Sequence, residues 1–330
     1  MLPIRIVSTG RYLPSNIITA DQLDRQIGFE AGTSLRTSGV ETRHFITDET
    51  ASFMGAAAAR AALEKAQLSI QDIDCIVCTS GSHEQAMPST AALIAKQLGD
   101  KAKGIPTFDV NSTCLSFLTG LDLLSYPVFQ GRFKQVLLIA TEIASVGLDW
   151  KDKESCTLFG DGAAAVIIRK SAANENSKII TAEMETYSEG AHFTEIPGGG
   201  TRFHPRFHLD TDGHPHLFRM DGRNVYKLSI KLLPQFFNRL FKKANISIDK
   251  IKLVIPHQAS VSALRLISKK LSISEDKLMV TVKKYGNTIA ASIPLALHDA
   301  ISEGRIARGD NILLIGTAAG LSVGGMILEY

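Results

Sequence analysis

The sequence is short of several things at once, and each shortage excludes a class of protein. Its 330 residues hold four cysteines and one tryptophan, and the aromatic share is 7%. Four thiols in a chain of this length make no disulfide scaffold, so a reducing cytoplasm is the expected setting. The amino terminus, MLPIRIVSTGRYLP, lacks a basic segment followed by a long apolar stretch and is read as carrying no secretion signal. No apolar run reaches the roughly 18 residues that a membrane span needs. Excess charge is missing too: 36 lysines and arginines face 33 aspartates and glutamates, a net of +3. That margin is too thin to expect nucleic acid as a partner.

What is present is an alternation. Short runs rich in valine and isoleucine (CIVCTS, QVLLIATE, AAAVIIR, LVIPH, NILLIGT) separate longer stretches at helical spacing, such as ETASFMGAAAARAALEKAQL and GRNVYKLSIKLLPQFFNRLFKKA. Near-continuous apolar strands between amphipathic helices imply a layered α/β fold whose sheets are covered on both faces. The pattern also repeats. AQLSIQDIDCIVCTS (66–80) and ANISIDKIKLVIPHQ (244–258) share a helix end, a Ser-Ile turn and a buried strand at an offset of 246 − 68 = 178. VLLIAT (136–141) and ILLIGT (312–317) match at 317 − 141 = 176. Two similar halves, 1–170 and 171–330, are the economical organisation.

Cys75 and Cys78 form a CxxC pair inside a predicted strand, where residues i and i+3 point to opposite faces, so their sulfurs cannot converge. They read as small buried hydrophobes, as does Cys156. Cys114 is placed differently: it follows the polar turn Asn111-Ser112-Thr113 and opens the run CLSFLTGLDLL, whose spacing predicts a helix. A thiol at a helix amino terminus feels the partial positive charge of unpaired N–H groups, which lowers its pKa, and the same groups can stabilise an oxyanion. A buried packing thiol fits the same spacing, and the residues alone leave both readings open.

Two further junctions join it. In KLVIPHQAS a buried strand ends in Pro256-His257-Gln258, delivering an imidazole to a strand's carboxyl end, where α/β folds build sites. In KKYGNTIAASIPLAL, Asn287 stands between the short predicted strand VTV and a small-residue helix, either as a cap or as an amide offered to a site.

In order along nearly the whole chain, IVSTGRYLPSNIIT, SGVETRHF, MPSTAALIAKQLG, the Cys114 segment, LFGDGAAAVII, PHQAS, YGNTIAASIPLAL and GLSVGGMILEY resemble the thiolase superfamily. Within it the closest likeness is to the β-ketoacyl-acyl-carrier-protein synthases III. The resemblance implies a five-layer αβαβα fold of two similar halves, a homodimer, and decarboxylative Claisen condensation with no resident cofactor or metal. It implies that Cys114 accepts an acyl group, that His257 and Asn287 hold the carbonyl of a malonyl thioester while CO2 leaves, and that backbone N–H groups of Cys114 and Ala319 receive the acyl oxyanion. Coenzyme A or acyl carrier protein thioesters are then the substrates. A thiolase acting without decarboxylation brings a second cysteine near the carboxyl end, and none follows Cys156.

The departures matter as well. The family's adenine-stacking tryptophan is replaced near Thr33, and the single tryptophan is Trp150. Ala318 and Ala319 stand where the family has glycines, so Ala319 is expected to need a backbone geometry that a Cβ resists. Met87 takes the position that, in the family, reaches across the dimer to the acyl pocket; the alternative is a core residue at a helix start. Lys227, Arg265, Lys269 and Lys270 lie on helices near which the family docks the acidic carrier protein, or form a solvated face; the family's arginine after the histidine motif is Ser262 here. The five histidines of segment 192–216 are irregularly spaced and are expected to bind no metal. Two other functions are the alternatives, transfer of the acyl group from Cys114 to an oxygen or nitrogen nucleophile and a non-catalytic partner subunit, and the complete Cys114, His257 and Asn287 set argues against both.

Overall fold

Two sheets carry the architecture, and in both the side chains of the central strands alternate between two apolar layers. The computed structural model describes residues 1–204, 206 and 214–330. The first sheet contains β1 (Ile4–Tyr12), β2 (Cys75–Cys78), β3 (Thr107–Asp109), β4 (Gln135–Glu142) and β5 (Gly162–Lys170), ordered β1-β5-β4-β2-β3. The second contains β6 (Lys178–Thr186), β7 (Leu253–Pro256), β8 (Asn311–Ala318) and β9 (Ser322–Glu329), ordered β7-β8-β9-β6.

The pairings repeat. β2 lies parallel to β4 and β4 antiparallel to β5, as β7 lies parallel to β8 and β8 antiparallel to β9. In the second sheet the place of β3 holds only a single parallel bridge, Val254 to Leu278. The predicted strand VTV is absent: Val282–Tyr285 is a helical turn. The Gln258 Oε1 accepts the Thr281 and Val282 N–H groups at 2.8 and 3.0 Å, and so takes the donors that a ladder would have used.

Six helices matter for the site: α1 (Ala51–Ala66), α2 (Thr90–Leu98), α3 (Ser116–Phe129), α4 (Gly222–Ala244), α5 (Val261–Leu271) and α6 (Ser292–Ser302). On the first sheet Ile76, Leu137, Ile139 and Ile167 face α1 and α2, whereas Val77, Val136, Leu138 and Ile168 face α3 and α6. On the second, Leu253, Ile255, Ile312 and Leu314 press on that same middle layer, and Val254, Leu313 and Ile315 turn to α4 and α5. The result is helix, sheet, helix, sheet, helix. Each fully buried aliphatic side chain contributes about 1.5–3 kcal/mol, so strands apolar on both faces are what this layering requires. Cys75 and Cys78 fall on opposite faces of the first sheet. Among the described residues no helix is long and apolar enough to cross a membrane.

The alanines of α1 let a strand approach closely. Ala56, Ala58, Ala59 and Ala62 are fully buried, and a Cβ built on Gly10 of β1 would lie 2.3 Å from the Ala58 carbonyl oxygen and 2.4 Å from the Ala62 nitrogen. Backbone cannot yield as a side chain does, so Gly10→Ala is expected to destabilise the protein by about 1–3 kcal/mol. Denaturant unfolding measures this, and an unchanged midpoint would contradict the contact.

Candidate active site

The site is assembled from two turns of the same design. In the first half Asn111 Oδ1 accepts the Thr113 N–H at 2.8 Å, Thr113 takes left-handed backbone at φ 52, a 3-10 turn covers Thr113–Leu115, and α3 follows. In the second Asn287 Oδ1 accepts the Ile289 N–H at 2.9 Å, Ile289 sits at φ 47, a 3-10 turn covers Ile289–Ala291, and α6 follows. The two asparagines are 287 − 111 = 176 positions apart, the offset of the repeat. Left-handed backbone at a β-branched residue costs on the order of 1–2 kcal/mol and persists only where the surroundings impose it.

The turns meet over Gly81. A Cβ there would lie 2.9 Å from Ile289 Cγ2 and 3.3 Å from both Cα and C of Thr113. Gly316 of β8 does the same for the third junction: its Cβ would lie 2.6 Å from His257 Cβ and 3.3 Å from Leu115 Cδ2. His257 follows the last residue of β7, and its carbonyl accepts the Ala259 N–H at 2.9 Å, while the Ala259 carbonyl in turn accepts from Asn287 Nδ2 at 3.3 Å. Cys114, His257 and Asn287 are thereby gathered at one end of the two sheets.

The loop 318–320 closes the nucleophile side. Thr113 Oγ1 donates to the Ala319 carbonyl at 3.3 Å, and the backbone N–H groups of Ala319 and of Cys114 itself favour the thiolate form of Cys114. Ala319 needs no unusual backbone for this, contrary to the expectation from its Cβ, because Gly320 at φ 112 takes the turn.

The charge states differ from the expectation for a helix-terminal thiol. Burial pushes the Cys114 thiol up to about 12, and the nearby Glu142 charge adds to it; the N–H groups of Ala319 and Cys114 oppose both and lose. Burial likewise lowers His257 to about 4, so its imidazole is neutral at ordinary pH. Glu142, the last residue of β4, is raised by burial to about 7 although Ser82 Oγ and the N–H groups of Gly81 and Ser82 donate to it and the Ala290 backbone also favours its charged form. Its carboxyl joins the loop beside Cys114 to the turn that follows Asn287.

Three contributors escaped the sequence reading. Glu142 ends an otherwise apolar strand, which is a visible signal. Gln258 is buried and saturated, donating to the Pro256 and Met279 carbonyls at 2.8 and 3.1 Å as well as accepting the two N–H groups already described. Ser292, the first residue of α6, places its Oγ 2.6 Å from His257 Nδ1.

Other expected residues lie elsewhere. Met87 is 83% exposed on this single chain, away from the buried groups. Lys227 on α4 and Arg265, Lys269 and Lys270 on α5 are all exposed, and the two helices pack together. Trp150 stands edge-on to Phe45 with ring centroids 6.1 Å apart. Of the five loop histidines, His208 lies outside the described residues; His192 pairs with Glu195 at 2.8 Å, and no group of three metal-binding side chains occurs among the described residues.

Comparison with known proteins follows this geometry. Residues 108–188 match the family model described as 3-oxoacyl-[acyl-carrier-protein] synthase III, and 241–330 match the model of its C terminal. The β-ketoacyl-[acyl-carrier-protein] synthase III of Aquifex aeolicus is 36% identical over 326 residues, 99% of each chain. That of Clostridium acetobutylicum is 32% identical over 330 residues, 100% of this chain and 99% of its own. The crystal structure of the Aquifex aeolicus 3-oxoacyl-[acyl-carrier-protein] synthase III superimposes with a TM-score of 0.88 at 34% identity, covering 99% of this chain and 100% of that one. The priming β-ketosynthase of the R1128 polyketide pathway gives 0.89 at 25% identity, covering 98% and 96%.

A thiol held near 12 has a testable signature. The thiolate fraction, and with it alkylation of Cys114 by iodoacetamide in the free protein, is expected to rise about tenfold per pH unit from pH 7 to 10 without levelling. Peptide mapping of the alkylated cysteine gives the rate, and a plateau near neutral pH would contradict the burial argument.

Proposed function

Because the chain belongs to the β-ketoacyl-[acyl-carrier-protein] synthase III family, we propose that it joins an acyl primer to a malonyl thioester by decarboxylative Claisen condensation, in fatty-acid or secondary-metabolite assembly. The observation that carries this reading is the gathering of one thiol, Cys114, with two neutral polar side chains, His257 and Asn287, by turns packed over Gly81 and Gly316. In the first step Cys114 sulfur attacks the carbonyl of an acyl thioester. The N–H groups of Cys114 and Ala319 receive the oxyanion, and the departing thiolate of coenzyme A or carrier protein takes the proton lost by Cys114. Thiol is exchanged for thiol, and no net proton moves.

In the second step His257 and Asn287 donate hydrogen bonds to the carbonyl oxygen of the malonyl thioester. Asn287 Oδ1 accepts the Ile289 N–H and one Nδ2 proton goes to the Ala259 carbonyl, which leaves the second Nδ2 proton for the substrate. The carboxylate leaves as CO2, its bonding pair becomes an enolate held by the two donors, and the carbon attacks the acyl group on Cys114. The sulfur departs as a thiolate and takes its proton from water, so the step consumes one proton overall. Neither donor abstracts a carbon-bound proton, and a histidine kept neutral by burial suits that task. No resident cofactor or metal enters any step.

The carrier protein docks on the exposed cations Lys227, Arg265, Lys269 and Lys270, a surface that suits an acidic partner. Thr33, in place of an aromatic ring, gives an adenine nothing to stack on, which favours the carrier over coenzyme A for at least one substrate. A second copy pairs with the open edge of β3. Phe108 on that strand is 39% exposed, and only a partner subunit would make Met87 part of an acyl pocket. The two halves meet between β5 and β6, which supports their division at 170 and 171.

Cys114→Ala is expected to abolish acyl-enzyme formation. His257→Ala and Asn287→Ala keep acylation and lose condensation by roughly 10²- to 10³-fold, the usual loss for one oxyanion donor. Intact-protein mass after incubation with acyl thioesters, followed by malonyl thioester with CO2 monitored, reads both steps. Acylation that malonyl cannot discharge would replace this reading with transfer to a heteroatom nucleophile. Replacing Arg265, Lys269 and Lys270 together with glutamate is expected to raise KM for carrier-borne thioesters roughly tenfold and leave coenzyme A thioesters unaffected. Equal KM values for both would make the cations a solvated face.

A further inference from the structure

A buried hydroxyl must place its proton somewhere, and at Ser292 the choices are few. The residue is 1% exposed. Its Oγ accepts the Gln258 N–H at 3.3 Å and lies 2.6 Å from His257 Nδ1. Nδ1 is the only acceptor within reach of that hydroxyl among the described residues. If Nδ1 carried the imidazole proton, it would donate to Ser292, and the serine proton would be left without a partner in a dry site, at a cost of roughly 1–3 kcal/mol.

The repeat supplies a control. Ser116 opens α3 as Ser292 opens α6, and 292 − 116 = 176 again. Ser116 Oγ likewise accepts one backbone N–H, that of Ser112 at 2.9 Å, and donates to the Thr113 and Ser80 carbonyls at 2.6 and 3.1 Å. At this position of the frame the hydroxyl is a donor, and in the second half the acceptor it meets is His257.

We propose that Ser292 is a positioning residue that donates to His257 Nδ1 and thereby fixes the imidazole proton on Nε2, making His257 a hydrogen-bond donor before any substrate arrives. The proposal rests on the condensing reading for its purpose, though not for its geometry. The burial that keeps the imidazole neutral is what gives the tautomer meaning. With Nε2 protonated, His257 is ready for an enolate oxygen and cannot take the Cys114 proton, which therefore leaves with the thiolate of the donor.

The test is a long-range proton–nitrogen spectrum of the full-length protein labelled with 15N-histidine, free of substrate at pH 7.5, with the His257 signals assigned by their loss in His257→Asn. A proton on Nε2 and a bare Nδ1 is the expected result; a proton on Nδ1 overturns the proposal. Ser292→Ala is expected to lose the single tautomer and to slow malonyl decarboxylation by roughly 10- to 100-fold, as when a histidine loses its orienting partner, while Cys114 acylates at nearly the normal rate. An unchanged tautomer with unchanged decarboxylation in that variant also overturns it. Should Ser292→Ala fail to fold, the spectrum of the unaltered protein still decides. Should the unaltered protein fail to discharge its acyl group with malonyl, the condensing reading falls and the tautomer result stands apart.

Discussion

Everything at the site depends on two left-handed residues meeting across a glycine. Thr113 and Ile289 are held at positive φ, where a branched Cβ is unwelcome, and each is locked there by an asparagine bonded to its N–H. Gly81 between them has no Cβ to keep the turns apart. Move either turn and the thiol, the amide and the histidine lose their common address. The strain is carried by five packed layers, whose apolar burial is far larger than the cost of two unfavourable dihedral pairs.

The same layers set the charges. A thiol near 12 and an imidazole near 4 are both consequences of removing water, and both groups are neutral at rest. Such a site stores no charge in the ground state. What it holds beside the thiol are fixed dipoles, the N–H groups of Ala319 and Cys114 and the Asn287 amide. Glu142 is the exception, with its affinity for a proton brought to about 7 even though Ser82 Oγ and the N–H groups of Gly81 and Ser82 donate to it. It lies where the two turns touch.

Much of this is written locally in the chain. Val77 and Ile76, or Leu313 and Leu314, are apolar on both faces, and that alone demands helices above and below. Cys114, His257 and Asn287 stand out because each breaks an apolar run at a junction between elements. What local reading misses is set by distant partners. The run VTV has the composition of a strand, but Gln258 takes its N–H groups from 23 and 24 positions away. The Cys114 thiol follows burial by both halves and not the helix it precedes. Ser292 has the look of any serine at a helix start until His257 arrives beside it, and Met87, which follows no core pattern, is 83% exposed on this chain.

The spacing of the chemistry depends on the missing side chains of Gly81 and Gly316, which let Thr113, Ile289, His257 and Leu115 approach. A lineage can therefore alter exposed side chains such as Met87 without moving the reacting atoms. Substrate range and reaction are separate traits in such a frame, free to evolve at different speeds.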